Sequence, residues 1–346
     1  MDKTSKVCFV YSSLTSFVEK DLKSLNLIVD KVFIIKSPPF KNLFRFLINR
    51  LNELFKSIIF ISRSDNLVIW FSDYHSTIPL LISKIFFVKS ILIIGGYDAI
   101  SDKKLNHGVF SKTNFRQVLS KFNMWLTTNI WVVDKTLAEG CKQALRQNKI
   151  NSGILNWMPK LKKKISIVPT GYSSLFWRKV KTKESNTVLT VANFSDQRVI
   201  KIKGIPFVLR LAKELPEFNF IILGVNSEEL IPKNLRHPNV SIIKQKNKVQ
   251  LREYFSTSQF YIQASRLEGL PNALCEAMLC ECIPIGNSVF GIPSAIGNTG
   301  MLFKGPSEIK KVISFLKNND KIGNQARKRI ISLFSEEKRI KKFKQI

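Results

Sequence analysis

Short, nearly unbroken apolar runs alternate with stretches in which apolar residues recur every three or four positions, almost throughout the chain. Runs of the first kind read as strands of a parallel sheet, apolar along their length because both faces are covered. Stretches of the second kind read as the helices that cover them. In the first half, strands are expected at 7–11, 31–35, 67–71, 91–94 and 129–133. In the second half they are expected at 165–168, 188–192, 219–223, 240–243, 260–263 and 283–286. Thr136 to Asn148 reads as one helix following the last strand of the first sheet. Such βα alternation predicts an α/β chain with parallel sheets. At 346 residues it has room for two domains, each with its own core.

The expected division is residues 1–164, then 165–330, with the boundary in the basic Pro159–Lys164 segment. Residues 331–346 form a basic C-terminal helix in this reading. Within the longer segment Lys321 to Ile346, the residues Ile330, Ile331, Leu333, Phe334 and Ile340 form one apolar face.

Charge adds a second theme. The formal net charge is +30, shared equally between residues 1–165 and 166–346. A field of that sign attracts nucleic acid, anionic headgroups and polyanionic substrates alike. The basic residues are dispersed and no nucleic-acid-binding motif accompanies them, so nucleic acid is the rival from another class, motivated by charge alone. The first apolar run is too short for a leader, and the most hydrophobic stretch, Ile78 to Ile94, is cut by Lys84 and Lys89. A cytoplasmic protein is expected, with a peripheral position on the inner face of a membrane as an option. Lys41 to Lys56 is basic, rich in Phe and amphipathic, as a helix lying in a headgroup layer would be, with Phe44 and Phe46 inserted; a core-facing helix has the same periodicity. The five cysteines have no framework or metal-binding spacing and read as buried thiols.

The most informative segment is Ser265 to Met278, where the strand 260–263 turns into a helix. It carries Glu268 and Glu276 on either side of a Gly-Leu-Pro-Asn turn. A strand-to-helix junction of this kind points free backbone N–H groups at whatever lies before it, a natural phosphate site. The run Ser265-x-x-Glu268-Gly269-x-Pro271, the Glu276-Ala277 helix, the strand beginning Cys282-Ile283-Pro284, and the loops Gly291-Ile292-Pro293 and Gly300 to Phe303 resemble the donor-binding signature of the family 4 retaining glycosyltransferases. The likeness extends to Ile167–Tyr172, Val188–Gly204 and Ile221–Gly224; in the first half it rests on the general pattern and the Gly95-Gly96-Tyr97-Asp98 loop.

That resemblance implies a GT-B architecture, two Rossmann-like domains facing a cleft. It implies that Glu276 holds the ribose and Glu268 the sugar hydroxyls of a nucleotide-diphosphate sugar. Backbone amides near Gly269, Leu270 and Asn272, together with Lys203, would hold the diphosphate. The family's usual arginine position is occupied by Asn193, so Arg198 or Lys201 is left to supply a second positive charge. Asp98 and His75, each in a loop after an apolar strand, are the candidates for holding an acceptor hydroxyl, although ordinary turn chemistry accounts for the Gly-Gly-x-Asp loop as well. The strands are followed by no Asp-x-Asp motif, and neither a metal nor a cofactor is implied. The expected reaction is metal-independent sugar transfer with retention to a glycan or lipid-linked acceptor, in cell-surface polysaccharide or lipopolysaccharide synthesis. A nucleotide-sugar epimerase or hydrolase of the same fold is the rival among enzymes.

Overall fold

A computed structural model describes residues 5–39, 42–233, 236–318 and 323–346. Lys41 and residues 321 and 322, at the starts of two segments discussed above, lie outside the described residues. Two compact units result: Met1–Cys141 with Ile150–Gly171 and Glu336–Ile346, and Lys142–Lys149 with Tyr172–Ser335.

In the first unit the chain runs β1 (Lys6–Tyr11), α1 (Ser16–Ile28), β2 (Lys31–Lys36), α2 (Leu43–Ile61), β3 (Asn66–Trp70), α3 (Tyr74–Ile85), β4 (Lys89–Ile94), β5 (Ile100–Ser101), α4 (Phe115–Leu126), β6 (Asn129–Val132) and α5 (Lys135–Glu139). After α6 (Lys142–Asn148), which belongs to the second unit, come β7 (Asn151–Ser152), α7 (Ile154–Trp157) and β8 (Ile165–Ile167). The sheet order is β2-β1-β3-β4-β6-β8, parallel throughout. The short β5 and β7 pair antiparallel, an addition that two-residue strands leave no periodicity to announce.

The second unit continues with β9 (Glu184–Phe194), α8 (Gln197–Ile202), α9 (Ile205–Glu214), β10 (Asn219–Val225), β11 (Val240–Ile243), α10 (Lys248–Thr257) and β12 (Ser258–Gln263). It closes with α11 (Asn272–Leu279), β13 (Ile283–Asn287), α12 (Ile292–Ile296), β14 (Met301–Phe303), α13 (Ile309–Lys317) and α14 (Asn324–Phe334). Its sheet order is β11-β10-β9-β12-β13-β14, again parallel. Each sheet is therefore doubly wound, with its strand order reversing beside its first strand. One side of the second sheet is sealed by α9 and α13, where Phe207 and Phe303 stack at 4.6 Å.

Three expectations need correction. The strand at Ile165 is the last strand of the first sheet, so the boundary lies beyond it rather than before it. The expected helix 136–148 is two helices, because Gly140 has φ +96 and a Cβ there would sit 2.7 Å from the Ser152 carbonyl oxygen. The C-terminal segment likewise breaks at Ser335. Helix α14 buries Ala326, Ile330 and Phe334, whereas Ile331 and Leu333 face solvent. Helix α15 (Glu336–Phe343) belongs to the first unit and buries a charge, Arg339, as deeply as Phe343. Arg339 donates to both carboxylate oxygens of Asp21 at 3.0 and 2.6 Å and to the Val168 carbonyl at 2.8 Å. Its guanidinium lies against the rings of Trp131 and Phe343, 5.2 and 5.0 Å from their centroids. Asp21 also accepts from the Trp70 indole at 2.9 Å. This buried pair is fully hydrogen-bonded, the condition under which two desolvated charges are tolerated.

Candidate functional site

In an open parallel sheet, ligands meet the carboxyl ends of the strands where the winding reverses. In the second sheet that point lies between β9 and β12. The loops leaving these two strands bring Lys203 and Glu268 together: the Lys203 Nζ is 2.5 Å from Glu268 Oε1. The reason is local. Gly204 has φ +71, and a Cβ there would stand 2.1 Å from the Ala264 carbonyl oxygen, so only glycine lets this loop lie against the end of β12. The Arg266 amide then donates to the Ile202 carbonyl at 2.8 Å and fixes the approach. A lysine one residue before that glycine is thereby delivered to the carboxylate.

Glu268 is held by more than the lysine. Gln263 Nε2 and the Ser265 hydroxyl each donate to Oε1 at 2.9 Å, and Gln263 also donates to Ser265 Oγ at 2.7 Å. Behind them the Tyr261 hydroxyl donates to Gln263 Oε1 at 3.1 Å, and burial keeps that phenol neutral by pushing its pKa well up. The bonds from Lys203, Gln263 and Ser265 converge on Oε1, which orients the carboxylate and leaves Oε2 to accept from a ligand hydroxyl. Sequence reasoning missed Tyr261, Gln263 and Ser265 as supports. The available signal was Gln263, a polar side chain closing an otherwise apolar strand.

Between Glu268 and α11 the chain turns through Gly269, Leu270 and Pro271. The Gly269 carbonyl accepts from the Gly291 amide at 3.0 Å, and a Cβ on Gly291 would stand 2.1 Å from that oxygen. The turn is thus pinned by a contact that tolerates no side chain. Pro271 offers no side-chain cap to α11, so the first amides of the helix, beginning at Asn272, are left to a ligand. Asn272 Oδ1 is buried without a hydrogen-bond partner, an acceptor that a ligand hydroxyl can satisfy. Glu276, in the second turn, is buried.

The candidates for a second positive charge separate. Arg198 is half exposed and pairs loosely with Asp196 at 3.8 Å. Asn193 is exposed at the end of β9 and accepts from Asn226 at 3.2 Å. Lys201 lines a cavity of about 230 Å³ with Gly204, Ala264, Arg266 and Asn287, all in the second unit. Arg266 is the basic residue there that the sequence reading did not single out.

In the first unit, Asp98 and His75 do not project from their loops. Asp98 is fully buried and accepts from the Ser72 and Gly96 amides, both at 3.1 Å. Burial raises its pKa to about 6 against those bonds. It braces the loops after β3 and β4 against each other. His75 is buried too; its Nε2 donates to the Trp70 carbonyl at 2.8 Å, and burial lowers its pKa. Both residues are occupied in holding loops. All five cysteines are free and buried. Among the described residues no group of three or more His, Cys, Asp or Glu could hold a metal ion, and no helix is long and apolar enough to cross a membrane.

A lysine, a braced carboxylate and a helix start without a side-chain cap lie together at the reversal point of a parallel sheet, groups whose chemistry suits an anionic ligand bearing hydroxyls. Residues 174–332 match the family model described as glycosyl transferases group 1. An uncharacterized glycosyltransferase of Haemophilus influenzae is 33% identical over 104 residues, a match spanning 28% of each chain. Sucrose-phosphate synthase from Thermosynechococcus elongatus is similar in fold, with TM-score 0.67 and 13% identity, covering 99% of this chain and 98% of that one. The catalytic domain of starch synthase IV from Arabidopsis thaliana, bound to ADP and acarbose, gives TM-score 0.66 and 9% identity over 99% and 98% of the two chains. The fold is GT-B, two Rossmann-like α/β units.

Proposed function

We propose that this protein is a glycosyltransferase that moves a sugar from a nucleotide-diphosphate sugar to a glycan or lipid-linked acceptor, with retention at the anomeric carbon. The carrying observation is the Lys203–Glu268 contact at the reversal point, set before the uncapped start of α11. Lys203 and the amides near Gly269, Leu270 and Asn272 bind the diphosphate. Glu268, through Oε2, takes hydroxyls of the transferred sugar, and Glu276 takes those of the ribose. Lys201 is the better placed of the two candidates for a second positive charge. The starch synthase domain, similar in fold, is bound to a nucleoside diphosphate and an oligosaccharide analogue, which agrees with such a ligand.

As the glycosidic bond breaks, negative charge grows on the departing diphosphate. A lysine and a helix dipole already in place stabilise that charge without reorganisation, and neither requires a metal ion. In a front-face reaction the departing phosphate accepts the acceptor's proton, so the buried and occupied Asp98 and His75 are not needed as bases. The net charge of +30 favours an anionic or lipid-linked acceptor at the inner face of a membrane, as in cell-surface polysaccharide synthesis.

The test is product analysis with a panel of nucleotide sugars and lipid-linked acceptors, following the anomeric signal by NMR. An axial donor giving an axial glycoside is expected. Donor breakdown or epimerisation that proceeds without any acceptor would assign the site to an epimerase or hydrolase instead.

A further inference from the structure

Helix α2 turns most of its apolar side outward. Its inward side buries Glu53 and Ser57 beside Ile61, with Glu53 accepting from Ser37 at 2.5 Å and pairing with Arg50 at 2.9 Å. Its outward side carries Leu43, Phe44, Leu47, Leu51 and Phe55, each more than half exposed. An amphipathic helix on a water-facing surface has the opposite arrangement. Phe46, expected to share the outward face, packs edge-on against Tyr74 at 5.7 Å and is half-buried.

The neighbouring helices continue the pattern. The chain steps from β2 to β3, β4 and β6 in one direction across the sheet, and right-handed crossovers put α2, α3 and α4 on the same side of it. Helix α2 packs on α3, and α3 on α4. Ile85 ends α3 and Phe87 follows it, the latter 94% exposed. Helix α4 presents Phe115, Val118 and Trp125, each more than half exposed. A row of this extent across three helices exceeds the scattered apolar residues of an ordinary surface.

Charge selects the partner. The ionisable side chains that α2, α3 and α4 leave wholly or partly in solvent include Arg45, Lys56, Lys84 and Lys121. The acidic residue in these helices is Glu53, buried and paired. A second copy would set like charges against one another. An anionic bilayer receives the rings and aliphatic chains at its headgroup boundary and the lysines at its phosphates. We infer that the outward face of α2, α3 and α4 is a docking surface that seats on an anionic lipid bilayer. This deepens the proposed membrane reading and rests on it, naming the face involved.

The full chain is floated with vesicles of phosphatidylcholine alone or mixed with phosphatidylglycerol. Wild type is expected to float with the mixed vesicles and poorly with the neutral ones, and the emission of Trp125 to shift to the blue. Phe55→Ser, Phe87→Ser and Trp125→Ser together change no charge and remove one exposed side chain near each helix. That variant should lose vesicle affinity by about tenfold or more, with circular dichroism and thermal midpoint unchanged. Leu175→Ser with Val249→Ser, exposed apolar residues of the second unit, should leave flotation as it was. Equal flotation of the triple variant and wild type overturns this face while leaving membrane contact standing. Failure of wild type to bind the mixed vesicles overturns both. Concentration-dependent dimers in sedimentation, abolished by the triple variant without vesicle binding, overturn it in favour of a second copy. Nucleoside diphosphate affinity, read by calorimetry on the same variants, tests the transfer site separately.

Discussion

Lys203 and Glu268 make an asymmetric prediction. In the free protein the lysine is already paired, its side chain 26% exposed and that of the glutamate 13%. Unit charges about 4 Å apart interact by about 4 kcal/mol at an effective dielectric of about 20, and desolvation and screening offset much of what this closer contact gains. To grip a diphosphate, Lys203 must share or leave that carboxylate. Glu268→Gln keeps an acceptor for Gln263 and Ser265 but removes the competing charge, so affinity for a free nucleoside diphosphate should hold or rise by up to about tenfold, corresponding to about 1.4 kcal/mol. Turnover of the intact nucleotide sugar should nevertheless fall by roughly ten- to a hundredfold, since a bond from a sugar hydroxyl to a charged acceptor is worth roughly 1.5–3 kcal/mol. Lys203→Met should weaken both the free nucleotide and the donor sugar. Calorimetry with nucleoside diphosphates, paired with steady-state kinetics, reads the two quantities. The reasoning fails if Glu268→Gln weakens the free diphosphate as much as Lys203→Met does.

Three further outcomes follow from the geometry. Arg339→Met strands the buried Asp21 carboxylate and should cost about 3–5 kcal/mol, a fall of roughly 6–15 °C in thermal midpoint; a variant melting within a degree of wild type would refute that, and Asp21→Leu added to it should restore most of the loss. Burial raises Glu53 from 4.5 to about 7, so the stability it contributes is present below about pH 4.5 and lost as pH rises through about 7; the thermal midpoint of wild type relative to Glu53→Gln should decline across that window, and a flat difference would count against it. EDTA should leave turnover near its untreated rate, because a lysine and a helix N-terminus neutralise the leaving group; activity lost on chelation and restored by manganese would point to a different mechanism.

The strands were readable because buried parallel strands are apolar along their length, and every expected strand has a counterpart within a few residues. The turn from Glu268 to Asn272 was readable because glycine, proline and a helix start occupy fixed offsets there. The support of Glu268 was less visible. Tyr261, Gln263 and Ser265 lie in a strand and its exit, and the convergence of Gln263 and Ser265 on one oxygen, with Tyr261 behind them, depends on the pleat and on packing against β9. Asp98 and His75 were misplaced for a related reason. A polar residue after an apolar strand can face a ligand or brace a neighbouring loop, and periodicity does not distinguish the two. The outward apolar face of α2 was legible as amphipathic but not in its orientation, because that is set by Glu53 accepting from Ser37 and Arg50 donating to the Tyr74 carbonyl, contacts outside the helix. The buried charge of Arg339 was hidden because its partner, Asp21, is 318 residues away.

The central claim is that the loops after β9 and β12 and the start of α11 bind the nucleoside diphosphate of a sugar donor. Its most direct test is calorimetric titration of wild type and Glu276→Ala with uridine, adenosine and guanosine diphosphates. Alanine keeps the helix propensity of α11, and circular dichroism with an unchanged thermal midpoint verifies the fold of the variant before titration. The account predicts that at least one diphosphate binds wild type and binds the variant roughly ten- to a hundredfold more weakly, through loss of the ribose contact. Equal affinity for wild type and variant, or no binding of any of the three to wild type, would contradict it.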